Sequence, residues 1–275
     1  MDKFCQQQLP RPGARGCISI AAVPTLKVHL YRPRVLKNRQ RLLVVVHGIS
    51  RNTMQQLDIY SELANELGLW LIAPAFSTQH FSGYQQLAKG AGQPRADLAL
   101  NRFLLAWAAE QQLTDLKLHL CGYSGGAQFA HRYALVYPSK VASLVLSSAG
   151  WYSFPDSSVS YPRGLGKWPI WLTPPNLNEL LRLSMLVLVG DQDVQRDSSL
   201  KTTARLDQQQ GLHRVERASR WVDAISQLQQ QLQVTTGIAF HRLQRQAHDF
   251  SDNARHSDML SVIGQFWKSV EQEGV

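Results

Sequence analysis

The sequence is poor in cysteine, with three in 275 residues, and poor in charge, with 18% Asp, Glu, Lys and Arg. A disulfide-built domain needs far denser cysteine usage, and pairing Cys5 with Cys17 would still leave Cys121 over. No apolar run approaches the ~18 residues a membrane span requires, so no membrane association is expected. The opening Met1-Asp2-Lys3-Phe4-Cys5-Gln6-Gln7-Gln8 lacks the apolar stretch of a secretory signal, which makes a cytoplasmic address the expectation. Metal-ligand spacings such as His-Glu-x-x-His are missing too, so neither metal nor cofactor is expected. Acidic residues are the scarcer sign, 20 against 29 Lys and Arg, and the resulting charge of +9 favours anionic partners without naming one. The densest basic stretch, Arg32 to Arg41, has no interleaved aromatics on which bases could stack. It reads as a solvated connection between strands, and nucleic acid is not expected as a partner.

What the chain does have is apolar material, 44% of its residues, enough to bury roughly three quarters of the unfolded surface around one substantial core. Its periodicity switches between strand and helix. Leu42-Leu43-Val44-Val45-Val46, Leu69 to Ala73, Leu116 to Leu120, Val141 to Leu146 and Met185 to Val189 are short, nearly unalternated apolar runs, and Thr236 to Phe240 closes the series less clearly. Strands buried on both faces read this way, and helical spacing in the intervals makes them βαβ units of a mostly parallel sheet with helices on both faces. The Gln tracts at 208–210 and 229–231 fall within helix-patterned segments as solvated faces. Residues 151–183 break the pattern with five prolines among Trp151, Tyr152, Phe154, Tyr161, Trp168 and Trp171. That excursion, between the strands near 145 and 186, is too short for a domain and is expected as a small cap-like segment in which only Asn176 to Leu183 is helical. The domain plan is therefore an extension over 1–24 and a single domain over 25–275.

The third apolar run leads directly into Gly122-Tyr123-Ser124-Gly125-Gly126, and helical spacing resumes at Ala127. A sharp turn there would lift a serine hydroxyl clear of the sheet, with glycines on either side because a Cβ would collide with the crossing backbone. A serine hydroxyl attacks only if a base takes its proton, and the base needs a carboxylate to orient it. Both follow in the chain: Asp193 in Gly190-Asp191-Gln192-Asp193, after a strand, and His248 in Ala247-His248-Asp249-Phe250, after the last strand. Asp191 and Asp197 rival Asp193, while His213, His241 and His256 rival His248. Negative charge on an attacked carbonyl oxygen needs backbone N–H donors, expected from Gly125 and from Ile49 in the turn after His47-Gly48. His47 is expected to hold that turn rather than transfer protons, His131 and Arg132 to be packed or at the surface rather than catalytic, and Cys121 to be core. Tyr123, Trp151, Tyr152 and Trp171 are expected to bind substrate, and the loop 77–94 with His80, Phe81 and Tyr84 to form the opposite wall.

These motifs resemble the α/β-hydrolase superfamily from about Thr25 to the C-terminus, and Gly122 to Arg132 with Ser148-Ala149-Gly150-Trp151-Tyr152 is similar to its esterase or polyhydroxybutyrate-depolymerase-like branch. The resemblance implies an α/β-hydrolase fold, with Ser124 as nucleophile, Asp193 as acid, His248 as base and Ile49 and Gly125 as oxyanion donors. It implies an esterase acting on a small-molecule or oligomeric ester without a cofactor. An acyl thioesterase or lipase could use the same triad, as could a peptidase or a carbon-carbon bond hydrolase. A hydrolase-like protein that binds a small ligand without useful turnover is the alternative of another class, and the oligomeric state stays open.

Overall fold

A computed structural model describes residues 9–273. The polar opening Met1 to Gln8, with Cys5, lies outside the described residues. The apolar runs form strands β3 (Arg41–Val46), β4 (Trp70–Ala75), β5 (Lys117–Tyr123), β6 (Val141–Ser147) and β7 (Ser184–Gly190), with β8 (Ile238–Leu243) last. Ahead of them stand β1 (Arg15–Ile20) and β2 (Val23–Tyr31). The eight-stranded sheet runs in the order β1-β2-β4-β3-β5-β6-β7-β8, parallel from β4 to β8 and antiparallel across β1, β2 and β4. This is the α/β-hydrolase fold that the sequence implies.

The unalternated apolar runs serve two cores, because successive side chains of a strand point to opposite faces. In β3, Leu42, Val44 and Val46 pack with residues of α2 (Ala96–Glu110), α3 (Gly125–Val136) and α6 (Arg214–Gln231). Leu43 and Val45 pack on the other face with α1 (Thr53–Leu67) and α8 (Met259–Glu273). Each face thus needs its own helical cover.

The expected boundary at residue 25 falls inside a β-hairpin. β1 and β2 pair antiparallel, and Ile18, Ile20 and Val23 are buried in the core, so the segment expected as an extension supplies an edge strand. The alternation Cys17, Ile18, Ser19, Ile20 is the local signal for it, with Ile18 and Ile20 on the buried face.

Between β6 and β7 the chain makes its Pro-rich excursion with one short helix, α4 (Leu177–Leu180), capped by the Asn176 side chain. The segment is fastened sideways, onto α3, α5 (Ala204–Gln210) and α6. Tyr152 lies flat on Trp221 of α6 with ring centroids 4.9 Å apart, and Trp221 Nε1 donates to the Ser153 carbonyl at 3.0 Å. Buried His131 of α3 donates from Nδ1 to the Ala127 carbonyl and accepts the Ser153 N–H at Nε2. The Gln tracts are helical but not wholly solvated. Gln210 is fully buried and bonds both backbone groups of Tyr152, and Gln229, also buried, donates to the Leu181 carbonyl.

Candidate active site

Ser124 sits between β5 and α3 with φ 53° and ψ −112°, a conformation that costs an ordinary residue about 1–3 kcal/mol and persists only where its surroundings enforce it. The surroundings are backbone. A Cβ at Gly122 would lie 2.3 Å from the Gly126 carbonyl, and one at Gly126 would lie 1.9 Å from the Val46 oxygen, so both positions admit glycine alone. The Ser124 N–H donates to the Ser147 carbonyl at 2.8 Å, which ties the turn to the end of β6.

His248 comes from the loop between β8 and α7 (Phe250–His256), whose first turn is capped by Asp249. Its Nε2 lies 3.1 Å from Ser124 Oγ, and its Nδ1 lies 2.8 Å from Asp193 Oδ2. Because the carboxylate can only accept, the proton of the neutral ring belongs on Nδ1, which leaves Nε2 free to accept from the serine. The Tyr123 ring stacks against the imidazole at 5.3 Å, and Tyr123 is 5% exposed, so the ring has little freedom to swing away. Asp193 reaches the histidine through the close approach of two loops: a Cβ at Gly190 would stand 2.2 Å from the Gln246 carbonyl oxygen, and the Gln192 N–H donates to that oxygen at 2.9 Å. Asp193 is 1% exposed, and its second oxygen, Oδ1, accepts from Arg214 Nη1 at 3.1 Å. Of the rivals, Asp191 accepts from the Gln246 N–H, and Asp197 is held by Ser199. Neither bonds His248. Among the rival histidines, His241 pairs with Asp258, His213 caps α6 and His256 ends α7.

The turn after β3 is locked from three sides. His47 Nε2 accepts the Phe76 N–H at 3.1 Å, so its proton sits on Nδ1 and is donated to the Gly48 carbonyl at 2.8 Å. Burial pushes the ring down to a pKa of about 4, which keeps it neutral. The Tyr84 hydroxyl donates to the His47 carbonyl at 3.0 Å. Gly125 is the first residue of α3, so its N–H has no intrahelical acceptor. Ile49 is its neighbour: Ile49 Cγ2 lies 3.1 Å from where a Gly125 Cβ would be, with Tyr84 Oη and Gln85 Nε2 closer still. Tyr84 and Gln85 are additions that the sequence did not single out for the oxyanion turn. The loop expected as an opposite wall instead buries Phe81 and Tyr84 against Phe76.

Ser124 and His248 open into a cleft of about 340 Å³. Ile49, Tyr123 and Phe250 are its larger apolar residues; Asn52, Gln55, Gln56, Ser199 and Ser251 are polar, and Asp197 and Asp249 are its carboxylates. Trp151, Tyr152 and Trp171 do not line it, which corrects the expected aromatic wall. Trp151 carries two cations over its ring, the Arg132 guanidinium at 4.3 Å from the ring centre and the Lys201 ammonium at 5.1 Å. Tyr152 is wholly buried on Trp221, and the Trp171 carbonyl accepts from Arg95. Large aromatics gain most where they are fully desolvated; α3 and α6 offer that to Trp151 and Tyr152, while Trp171 stays half-buried beside Arg95. Cys121 is buried beside Tyr60, and burial pushes its thiol up to about 12, so it is a core residue. Among the described residues, no group of three or more His, Cys, Asp or Glu side chains is placed to hold a metal ion, and no helix is long and apolar enough to cross a membrane.

The family model of the alpha/beta hydrolase fold matches residues 43–236. No curated protein matches the chain. Among solved structures, poly(aspartic acid) hydrolase-1 from Sphingomonas sp. KT-1 superposes with a TM-score of 0.73 at 20% identity, covering 94% of this chain and 98% of that one. A poly(3-hydroxybutyrate) depolymerase from Bordetella parapertussis gives 0.75 at 24% identity over 93% and 90%. An S-formylglutathione hydrolase from Agrobacterium tumefaciens gives 0.62 at 14% identity over 98% and 99%. At such identities the likeness is one of fold.

Proposed function

The chain belongs to the α/β-hydrolase fold family, and on that footing we propose that it is a serine esterase, cleaving a small or oligomeric carboxylic ester through an acyl-enzyme. The observation that carries the reading is the unbroken relay from Asp193 Oδ2 through His248 to Ser124 Oγ, at 2.8 and 3.1 Å, ending in an open cleft. Three residues drawn from loops after β5, β7 and β8 have no packing reason to meet in this order, and a strained serine conformation is costly to keep for a helix cap alone.

In the proposed cycle His248 Nε2 takes the Ser124 proton as Oγ attacks the ester carbonyl. Asp193 holds the Nδ1–H and stabilises the imidazolium that forms. The oxygen that becomes anionic is received by the N–H groups of Gly125 and Ile49, where His47, Tyr84 and the start of α3 hold the backbone in place. The imidazolium then protonates the departing alcohol, leaving the acyl group on Ser124. A water deprotonated by His248 attacks this ester, and the acid leaves as Ser124 recovers its proton. With Ile49, Tyr123 and Phe250 set among Asn, Gln and Ser side chains in a cleft of about 340 Å³, the site suits short acyl groups and polar alcohols better than long alkyl chains.

Reaction with a fluorophosphonate probe, followed by peptide mass spectrometry, tests the reading together with hydrolysis of p-nitrophenyl acetate and butyrate. Labelling at Ser124 with turnover of either ester is expected. A folded protein that takes no label and turns over neither ester refutes it and moves the ligand-binding reading ahead.

A further inference from the structure

Arg214 is the first residue of α6, and its side chain is completely buried. A cation in the first turn of a helix opposes the helix dipole, and a buried cation needs anionic partners to offset its desolvation. Its guanidinium finds them at the proposed catalytic site. Nη1 donates to Asp193 Oδ1 at 3.1 Å, on the side of the carboxylate opposite His248. Nη2 donates to Ser199 Oγ at 2.7 Å and lies 3.9 Å from Asp197 Oδ1, and Ser199 and Asp197 both line the cleft. Nε is buried with no hydrogen-bond partner, so the side chain is aimed at these groups at the expense of one of its own donors.

We propose that Arg214 is a positioning residue, which fixes the Asp193 carboxylate against His248 and sets how tightly the Asp193–His248 pair binds its proton, while anchoring the cleft wall at Ser199 to the same ion pair. The proposal rests on the serine-esterase reading of the site. Without the guanidinium, Asp193 would be a buried anion balanced only by the imidazole, and the pair would hold a proton at higher pH; with it, a second positive charge on the pair is disfavoured. Arg214 therefore keeps His248 free to act as a base at lower pH.

The other groups facing the pair are Ser124, Asp249 beside His248 in sequence, Asp197 across the cleft and the phenols of Tyr123 and Tyr152. Burial pushes both phenols far above the usual tyrosine range, so they stay neutral. Hydrogen bonds from Ser199 hold Asp197 below the usual carboxylate range, so it stays charged.

The test is the pH profile of kcat/KM for p-nitrophenyl acetate in the parent, Arg214→Gln and Arg214→Lys. In Arg214→Gln the acid limb should move up by ~1 pH unit, the scale on which one adjacent charge acts. In Arg214→Lys, which keeps the charge and loses the fork, kcat should fall several-fold while the limb stays within ~0.3 unit of the parent. A role in packing alone would lower activity equally at every pH. A limb that does not move in Arg214→Gln, or that moves as far in Arg214→Lys, overturns the proposal. Should Arg214→Gln not fold, Arg214→Lys decides: a displaced limb or an unaltered kcat overturns the proposal, and a lowered kcat on an unmoved limb supports it. Loss of the serine-esterase reading would look different, because the parent itself would then take no fluorophosphonate label on Ser124.

Discussion

A Cβ on Gly126 would stand 1.9 Å from the carbonyl oxygen of Val46. Val46 closes β3, which pairs on either side with β4 and β5, and its register partner in β5 is Gly122. The start of α3 therefore crosses the centre of the sheet with backbone against backbone. Neither partner can retreat, since moving Val46 would break the ladder and moving Gly126 would unwind the serine turn.

Gly126→Ala should accordingly be far worse than an ordinary surface substitution, costing about 3 kcal/mol or more, the range of a steric clash that packed backbone cannot relieve. Urea unfolding monitored by tryptophan fluorescence would measure it. Gly90→Ala is the control, because a Cβ there meets nothing within 4 Å.

Ser124→Ala should keep the fold and lower kcat by a factor on the order of 10⁴ or more, since the hydroxyl is the proposed covalent participant. Asp193→Asn should cost less than His248→Ala if the acid only orients the ring and stabilises its charge. Asp191→Asn should be nearly silent. A silent Asp193→Asn beside a damaging Asp197→Asn would reassign the acid.

Acyl selectivity should be shallow. An apolar slot contributes ~0.8 kcal/mol for each methylene it buries, close to a fourfold gain in kcat/KM. The apolar side chains lining this cleft are limited to Ile49, Tyr123 and Phe250 among Asn, Gln and Ser, so the gain should fall below ~2-fold per methylene beyond butyryl. Trp151→Ala and Trp171→Ala should leave that profile unchanged, because neither ring lines the cleft. A series of p-nitrophenyl esters from acetyl to decanoyl would show it, and a steep rise to long chains would contradict it.

Acid should destabilise the fold through His47. Its pKa of about 4 lies below the ordinary 6.5 because burial penalises the charged ring. The unfolded chain therefore takes up this proton first, and stability present above pH ~6.5 is lost as pH falls toward ~4, by ~3 kcal/mol in total. His131 is shifted the same way by its burial and adds to the loss. Urea midpoints between pH 7 and 4.5 should fall less steeply in His47→Gln, whose side-chain oxygen can still accept the Phe76 N–H, than in the parent.

Much of this architecture is legible in consecutive residues. Unbroken apolar runs such as Leu42 to Val46 announce strands buried on both faces, because only such strands have no solvent side to keep polar. Gly122, Ser124, Gly125 and Gly126 announce the serine turn, because the backbone crossing excludes a Cβ at two of them. The order of Ser124, Asp193 and His248 is legible too, because each follows the end of an apolar or strand-patterned run, Ser124 directly and the other two in the loops after β7 and β8. The hairpin of β1 and β2 was less so, since its alternation is short and its role is to cover a sheet edge that only the assembled sheet has.

What the sequence by itself determined was the chemistry available: a serine on a strained turn, a histidine after the last strand, several carboxylates near the end of β7. The sequence put Asp193 forward with Asp191 and Asp197 as rivals, and the tertiary structure decided which of them meets the imidazole, because Gly190 lets its loop close on Gln246 and brings Asp193 to it. The tertiary structure also decided the aromatic segment, since Trp151 and Tyr152 gain more by burial against Arg132 and Trp221 than by lining a wet cleft. And it placed Arg214 behind Asp193. Nothing local marks that arginine among the basic residues of an amphipathic helix, because its meaning lies in a contact made 21 residues away in the chain, through an ion pair that exists only once both ends are buried.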